Sequence, residues 1–172
     1  MDKEETYNAL KRFQQYVVRE SRSNLKRMKK NSSNKLYQSI KGSVKVNANS
    51  FELDIQMLPY GQFQDKGVNG IKVKHGSEFT FKKNVPSSDM LKSLDKWIVR
   101  KGLAPRNKQG QYTNRKGLKF AIAKGIFRDG IKPSLFFTKP FEKAFKKLSP
   151  ELVEAYGLDV AELMEFTLPN LK

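Results

Sequence analysis

Apolar residues recur every three or four positions from Tyr7 to Met28, through Leu10, Phe13 (or Gln14), Val17 and Leu25, with Ser21 the small polar member. That period predicts one long helix from Lys3 to about Met28. Lys26, Arg27, Lys29 and Lys30 crowd its end, where cations meet the negative pole of the helix dipole. The apolar stripe is narrow, so the helix is expected to need a partner surface outside its own domain. Asn31-Ser32-Ser33-Asn34 breaks the pattern, and Ser33 or Asn34 is the expected cap of a short segment, Lys35–Ile40.

The period then falls to two. Val44, Val46 and Ala48 alternate along Ser43–Ala48, and Phe51, Leu53, Ile55 and Met57 alternate along Ser50–Leu58. With Asn47-Ala48-Asn49-Ser50 as the turn, this predicts a β-hairpin with one buried face. Pro59 ends the second strand. Tyr60–Gly76 is rich in glycine and reads as a mobile loop, followed by a short third strand at Glu78–Phe81. Ser87 or Ser88 caps a helix over Asp89–Arg100, with Leu91, Leu94, Trp97 and Ile98 on one face and Gly102 past its end. Gly102–Gly117 reads as a loop or loose hairpin. A helix follows from about Leu118 to Arg128 and stops at Gly130. Pro140 suits a first helical position, where its missing N–H costs nothing, and Phe141, Ala144, Phe145 and Leu148 line the helix it opens. Ser149-Pro150-Glu151 opens another short helix closed by Gly157, and Leu158–Phe166 follows it.

The fold class expected from these elements is α+β. A small, mostly antiparallel sheet is packed by helices, with a long N-terminal helix and a helical C-terminal arm. The expected division is an N-terminal helix over 1–30, an α+β domain over 31–148 and an acidic helical arm over 149–172.

Charge changes the picture. The 172 residues carry a net +17, which favours polyanionic or acidic partners and costs stability by self-repulsion. The charge is uneven. From Ser149 onward five acids (Glu151, Glu154, Asp159, Glu162, Glu165) oppose one base, Lys172, which leaves +21 on residues 1–148. Between Arg100 and Lys119 stand seven cations and no acid, and Lys66, Lys72, Lys74, Lys82 and Lys83 face one acid, Glu78. Such cations can contact phosphates, and Tyr112, Phe79 and Phe81 nearby can stack on bases. The plainer reading of the same residues is solubility and core packing. No helix-turn-helix, zinc-finger or RNA-recognition pattern accompanies the charge.

Catalytic chemistry has little to build on. There is no cysteine. The single histidine, His75, lies between Lys74 and Gly76 without a second metal ligand or a nucleophile beside it, so a surface role is expected. The glycines of 67–76 lack the order of a phosphate loop. No Asp or Glu has a Lys two positions later, and Glu52 and Asp54 fall on the solvated face of their strand. No enzyme activity, metal or cofactor is expected. The N-terminus, MDKEETYNAL, has no apolar signal core, and no apolar run nears the ~18 residues of a membrane span. A soluble protein with no membrane partner is expected.

The order of several motifs resembles a known family. A helix leads to Lys35-Leu36-Tyr37-Gln38-Ser39-Ile40, then a hairpin, then Tyr60-Gly61-Gln62-Phe63-Gln64-Asp65-Lys66-Gly67, and later a P-x-x-F-F-x-x-P-F stretch from Pro133 to Phe141. This resembles the tail-completion, or head–tail connector (neck), proteins of tailed bacteriophages. Their pattern runs from L-x-x-S-I to strands, to a Y-x-x-x-x-E-x-G turn, and to a P-F-[LF]-x-P-A helix entry. The segments LDKWIVRKGLAP and GLKFAIAKGIFRDGIKPSLFF look like inserts in phage versions of that family. The resemblance spans about 30–148. Gln64-Asp65 stands in the place of the family's acid, and the acidic tail has no counterpart.

The resemblance implies a structural virion protein, assembled in the host cytoplasm and placed at the neck or tail junction. Its copies would form a ring around the DNA channel, beside portal, adaptor or tail proteins, with genomic DNA passing transiently. The alternative is a free, non-specific nucleic-acid-binding protein that uses the basic loops. Phe136 and Phe137 sit between two prolines in what reads as an extended run, so one is expected to enter the core and the other to contact another chain. Arg106, Lys108, Arg115 and Lys116 are expected to meet acidic surfaces of neighbours, including Glu151, Glu154 and Glu162 of an adjacent copy. Lys72, Lys74, Lys82 and Lys83 are the cations expected nearest DNA.

Overall fold

The computed structural model describes residues 3–47, 50–82, 85–148, 150 and 152. The chain forms two compact units. The first takes the chain up to Asp65 and resumes at Leu135; the second is Lys66–Ser134, which lies between those two parts in sequence. The class is α+β as expected, with a long first helix, a two-stranded antiparallel sheet and further helices.

In the first unit, helix α1 spans Lys3–Arg27, with Glu4 and Glu5 in its first turn and Lys26 and Arg27 in its last, matching both poles of its dipole. Its buried stripe is Thr6, Leu10, Phe13, Val17, Ser21 and Leu25. Tyr7 is half-buried, so the stripe starts one position early at Thr6, and it ends at Leu25 because Met28 lies exposed past the last helical residue. The partner surface lies within its own unit: α1 packs on the hairpin and on helix α6 (Thr138–Phe145). Residue 30 is therefore not a boundary. Helix α2 covers Lys35–Ser39. Asn34 precedes it at φ 54° and gives no side-chain cap; Asn31 Nδ2 donates to its Oδ1 instead.

Strands β1 (Lys41–Val46) and β2 (Phe51–Gln56) pair antiparallel, with Val44 opposite Leu53 and Gly42 opposite Ile55. Gly42 matters for its size. A Cβ there would stand 2.5 Å from Nε2 and 2.6 Å from Cγ of Gln14, so a larger residue would require the Gln14 side chain to move away from the strand. On the solvent face Lys45 pairs with Glu52 at 3.1 Å. The core joins Phe13, Val17 and Leu25 of α1 to Leu36, Ile40, Ile55, Phe136, Phe137 and Phe141. Phe13 meets Phe141 edge to face, with ring centroids 5.2 Å apart.

The tertiary structure corrects the reading of Phe136 and Phe137. Both are fully buried in the first unit, and neither is offered to another chain. The run is not extended. Leu135 has φ +50°, and Phe137 is already near-helical at φ −101°, ψ −49°. A turn breaks the alternation that would send the two rings to opposite sides. The helix they introduce starts at Thr138, which makes Pro140 its third residue, still among the N–H positions without a helical partner.

In the second unit, helix α3 (Gly61–Lys66) having ended at its border, residues 67–82 form no third strand. Asn69 and Thr80 share one isolated parallel bridge, so among the described residues the sheet has two strands. Helices α4 (Ser88–Arg100) and α5 (Arg115–Asp129) pack on each other. Ser87 caps α4 by accepting from the N–H of Met90. Asn114 caps α5 by accepting from Lys116, which starts that helix three residues before the predicted Leu118. Gly130, at φ +77°, ends it. Gly70 and Gly130 cross so closely that a Cβ on Gly70 would sit 2.4 Å from the Gly130 nitrogen. No helix among the described residues is long and apolar enough to cross a membrane.

Candidate interaction surfaces

The two stretches that carry the resemblance meet inside the first unit. Asp65 is fully buried. Its Oδ1 accepts from the backbone N–H of Phe137 at 2.8 Å and of Thr138 at 3.2 Å, and its Oδ2 accepts from the Thr138 hydroxyl. The Asp65 carbonyl accepts from the Leu135 N–H at 3.0 Å. A helix start needs acceptors for its first N–H groups, and a carboxylate there also meets the positive pole of the dipole. Phe137, at the N-cap position, supplies no side-chain cap. Asp65 supplies it from 72 positions away. Counting from Tyr60, Asp65 follows four intervening residues and Gly67 comes two later.

The region read as a mobile glycine loop is fixed by a polar side chain. Asn69 is buried; its Oδ1 accepts from the N–H groups of His75 (2.8 Å) and Ser77 (3.3 Å), and its Nδ2 donates to the Ser77 carbonyl and to Thr80 Oγ1. His75 is half-buried and its Nε2 lies 2.8 Å from the Asp129 carbonyl. A carbonyl only accepts, so Nε2 carries the proton and the ring ties this loop to the end of α5. The Arg128 guanidinium grips the Asp129 carboxylate with two bonds, 2.8 and 2.7 Å, and this hydrogen bonding holds the Asp129 carboxyl below the usual carboxylate range. Among the described residues no group of three His, Cys, Asp or Glu side chains gathers as metal ligands would.

The basic residues divide by their surroundings. The second unit holds 17 Lys and Arg against 4 Asp and Glu, a net +13. Each of the four acids already faces a base within the unit: Glu78–Lys66 at 2.6 Å, Asp89–Lys92 at 3.7 Å, Asp95–Lys119 at 3.4 Å and Asp129–Arg128 at 2.7 Å. The positive excess therefore stands without internal neutralisation.

Arg106 is held in place locally. In the turn after α4, its Nη1 donates to the Gly110 carbonyl at 2.9 Å and its Nη2 to Tyr112 Oη at 2.7 Å, with the guanidinium 4.2 Å from the Tyr112 ring centre. Asn107 closes the turn by accepting from Gln109 and Gln111. The stretch read as a loop or loose hairpin is thus a pinned one, with Lys108 exposed at its bend. Arg115 and Lys116 are exposed in the first turn of α5. With Lys119, Leu91, Asn114 and Phe120 they line an open cleft of about 450 Å³. Lys72, Lys74 and Lys82 are exposed, and Lys74 donates to the Gly70 carbonyl at 3.0 Å. Lys83, Glu151, Glu154 and Glu162 lie outside the described residues.

A second concavity, of about 640 Å³, lies in the first unit along α1 and α6, between Arg12, Phe13, Tyr16, Lys147 and Leu148. Sequence periodicity marked Phe13 and Leu148 as core, and no pattern marked the groove beside them. No family model, no curated protein and no solved structure matches this chain.

Proposed function

We propose that the protein is a structural subunit of a ring at the head–tail junction of a tailed phage particle. It joins portal-side and tail-side proteins around the DNA channel and performs no catalysis. The observation that supports this reading is the meeting of Asp65 with Phe137 and Thr138. It gives a physical reason for two motifs far apart in sequence to occur together, since the acid of one caps the helix that the other opens. The first unit then serves as a rigid hairpin-and-helix body, and the inserted basic unit faces its surroundings. In this reading Arg106, Lys108, Arg115 and Lys116 meet carboxylates of neighbouring proteins, and Lys72, Lys74, Lys82 and Lys83 lie nearer the DNA. A channel lined by every one of these cations would grip DNA, because each neutralised phosphate adds affinity through counterion release.

Native mass spectrometry and electron microscopy of the purified protein, with proteomics of intact particles, test the reading. A closed ring of fixed copy number and presence in the particle are expected. A protein that stays monomeric at all concentrations and is absent from particles overturns it.

The net +13 of the second unit favours a second reading, a free protein that binds nucleic acid without sequence preference. In that case duplex binding is tight, collapses with salt, and needs no oligomer.

A further inference from the structure

We infer that the cleft at the start of α5 receives the acidic C-terminal segment, residues 153–172, of a second copy of this chain. The inference rests on the ring reading above and names the contact that would close the ring.

Three observations carry it. Arg115 and Lys116 are exposed and meet no carboxylate among the described residues, because the cleft's own acid, Asp95, is engaged by Lys119. The cleft is not purely ionic, since Phe120 is 39% exposed and Leu91 half-buried beside the cations. The chain holds one stretch of matching chemistry. Beyond Leu152 it carries Glu154, Asp159, Glu162 and Glu165 among Leu158, Leu163 and Phe166, with Lys172 the one base. On a helical period, Asp159, Glu162, Leu163 and Phe166 fall on one face, which pairs two carboxylates with two apolar side chains. Two cations beside an apolar floor are the complement of that face.

Charge also argues for a partner of this kind. Copies of a unit at +13 repel one another, and a ring needs a heterologous contact in which one surface meets a different surface on the next copy. An acidic segment laid on the basic unit provides both the attraction and the asymmetry.

Charge reversal on each side tests it in the full-length protein. Arg115→Glu/Lys116→Glu places acids in the first turn of α5, where the helix dipole favours them, so the fold is kept. Asp159→Lys/Glu162→Lys reverses the segment. Self-association is read by sedimentation velocity at low and high salt, with circular dichroism as the check on folding. Each pair alone should weaken association about tenfold or more, and the four substitutions together should restore it to within a few-fold of wild type. Wild-type association should also weaken as salt rises.

If wild type forms rings and neither reversal changes them, the cleft assignment is wrong while the ring reading stands. If Asp159→Lys/Glu162→Lys weakens association and Arg115→Glu/Lys116→Glu does not, the segment sits on another surface, such as the α1/α6 groove with Arg12 and Lys147, and the cleft assignment is wrong. If wild type never associates, the ring reading fails and the assignment with it. If Arg115→Glu/Lys116→Glu abolishes duplex DNA binding without altering association, the cleft is a nucleic-acid surface and the inference is overturned.

Discussion

The carboxylate of Asp65 caps the helix that begins at Thr138, and it does so by bonding the backbone of Phe137 and both the backbone and hydroxyl of Thr138. The Leu135 N–H on the Asp65 carbonyl completes the closure, so the chain returns to the first unit beside the point where it left. An insertion whose ends meet in this way adds little strain to its host, which fits a body unit built from the chain on both sides of it.

Removing that carboxylate should be expensive. Asp65→Ala leaves the buried Phe137 N–H and the part-buried Thr138 N–H and hydroxyl without their acceptor, and a loss of about 2–4 kcal/mol is expected. Asp65→Asn keeps one oxygen for the two N–H groups and should cost less. Urea unfolding of both variants checks the order; equal losses would mean that the cap is not what Asp65 provides.

Phe136 and Phe137 should behave alike. Both rings are fully buried in one core, so Phe136→Ala and Phe137→Ala should each lower stability by about 3–5 kcal/mol. A variant of either with wild-type stability and lost assembly would return that ring to the surface role first expected of it.

Ser21 is a weak point in the α1 stripe. Its side chain is fully buried and its Oγ finds no hydrogen-bond partner among the described residues. Alanine occupies the same space, is the better helix former and leaves no hydroxyl to desolvate. Ser21→Ala should raise stability by up to about 1 kcal/mol, read as a higher urea midpoint with an unchanged slope. A lower midpoint would show that the hydroxyl has a function in the folded state.

His75 should be a structural residue. Losing the bond from Nε2 to the Asp129 carbonyl should cost about 0.5–1.5 kcal/mol, and hydrogen exchange should rise at Lys72 and Val73, whose N–H groups bond the Arg128 carbonyl beside it. Assembly should be unaffected. A His75→Ala protein of normal stability that lost a measurable activity would point to chemistry at this ring.

How much was legible follows from what a local pattern can encode. Helix α1, the hairpin and α4 could be read to within a few residues, because each buries one face and the period of apolar residues records that face. The start of α5 was missed because its first turn, Arg115-Lys116-Gly117, is exposed and carries no apolar residue to mark it. The cation run Arg100–Lys119 could be read as a charge, but its division into a pinned Arg106 and an open Arg115/Lys116 pair could not.

By itself the sequence determined the α+β class, the helical and strand periods, the absence of cysteine chemistry and the split between a basic body and an acidic end. Only the tertiary structure decided where the chain divides, which phenylalanines are buried, and what orders the glycine-rich stretch. The reason is the same in each case. Asp65 reaches the start of α6 and Asn69 organises its loop through single polar side chains bonded to backbone atoms, and such bonds leave no periodic trace. Leu135 turns the chain at a positive φ that no neighbouring residue type announces, and with the near-helical backbone of Phe137 this turn breaks the alternation that would have split Phe136 and Phe137 between two sides.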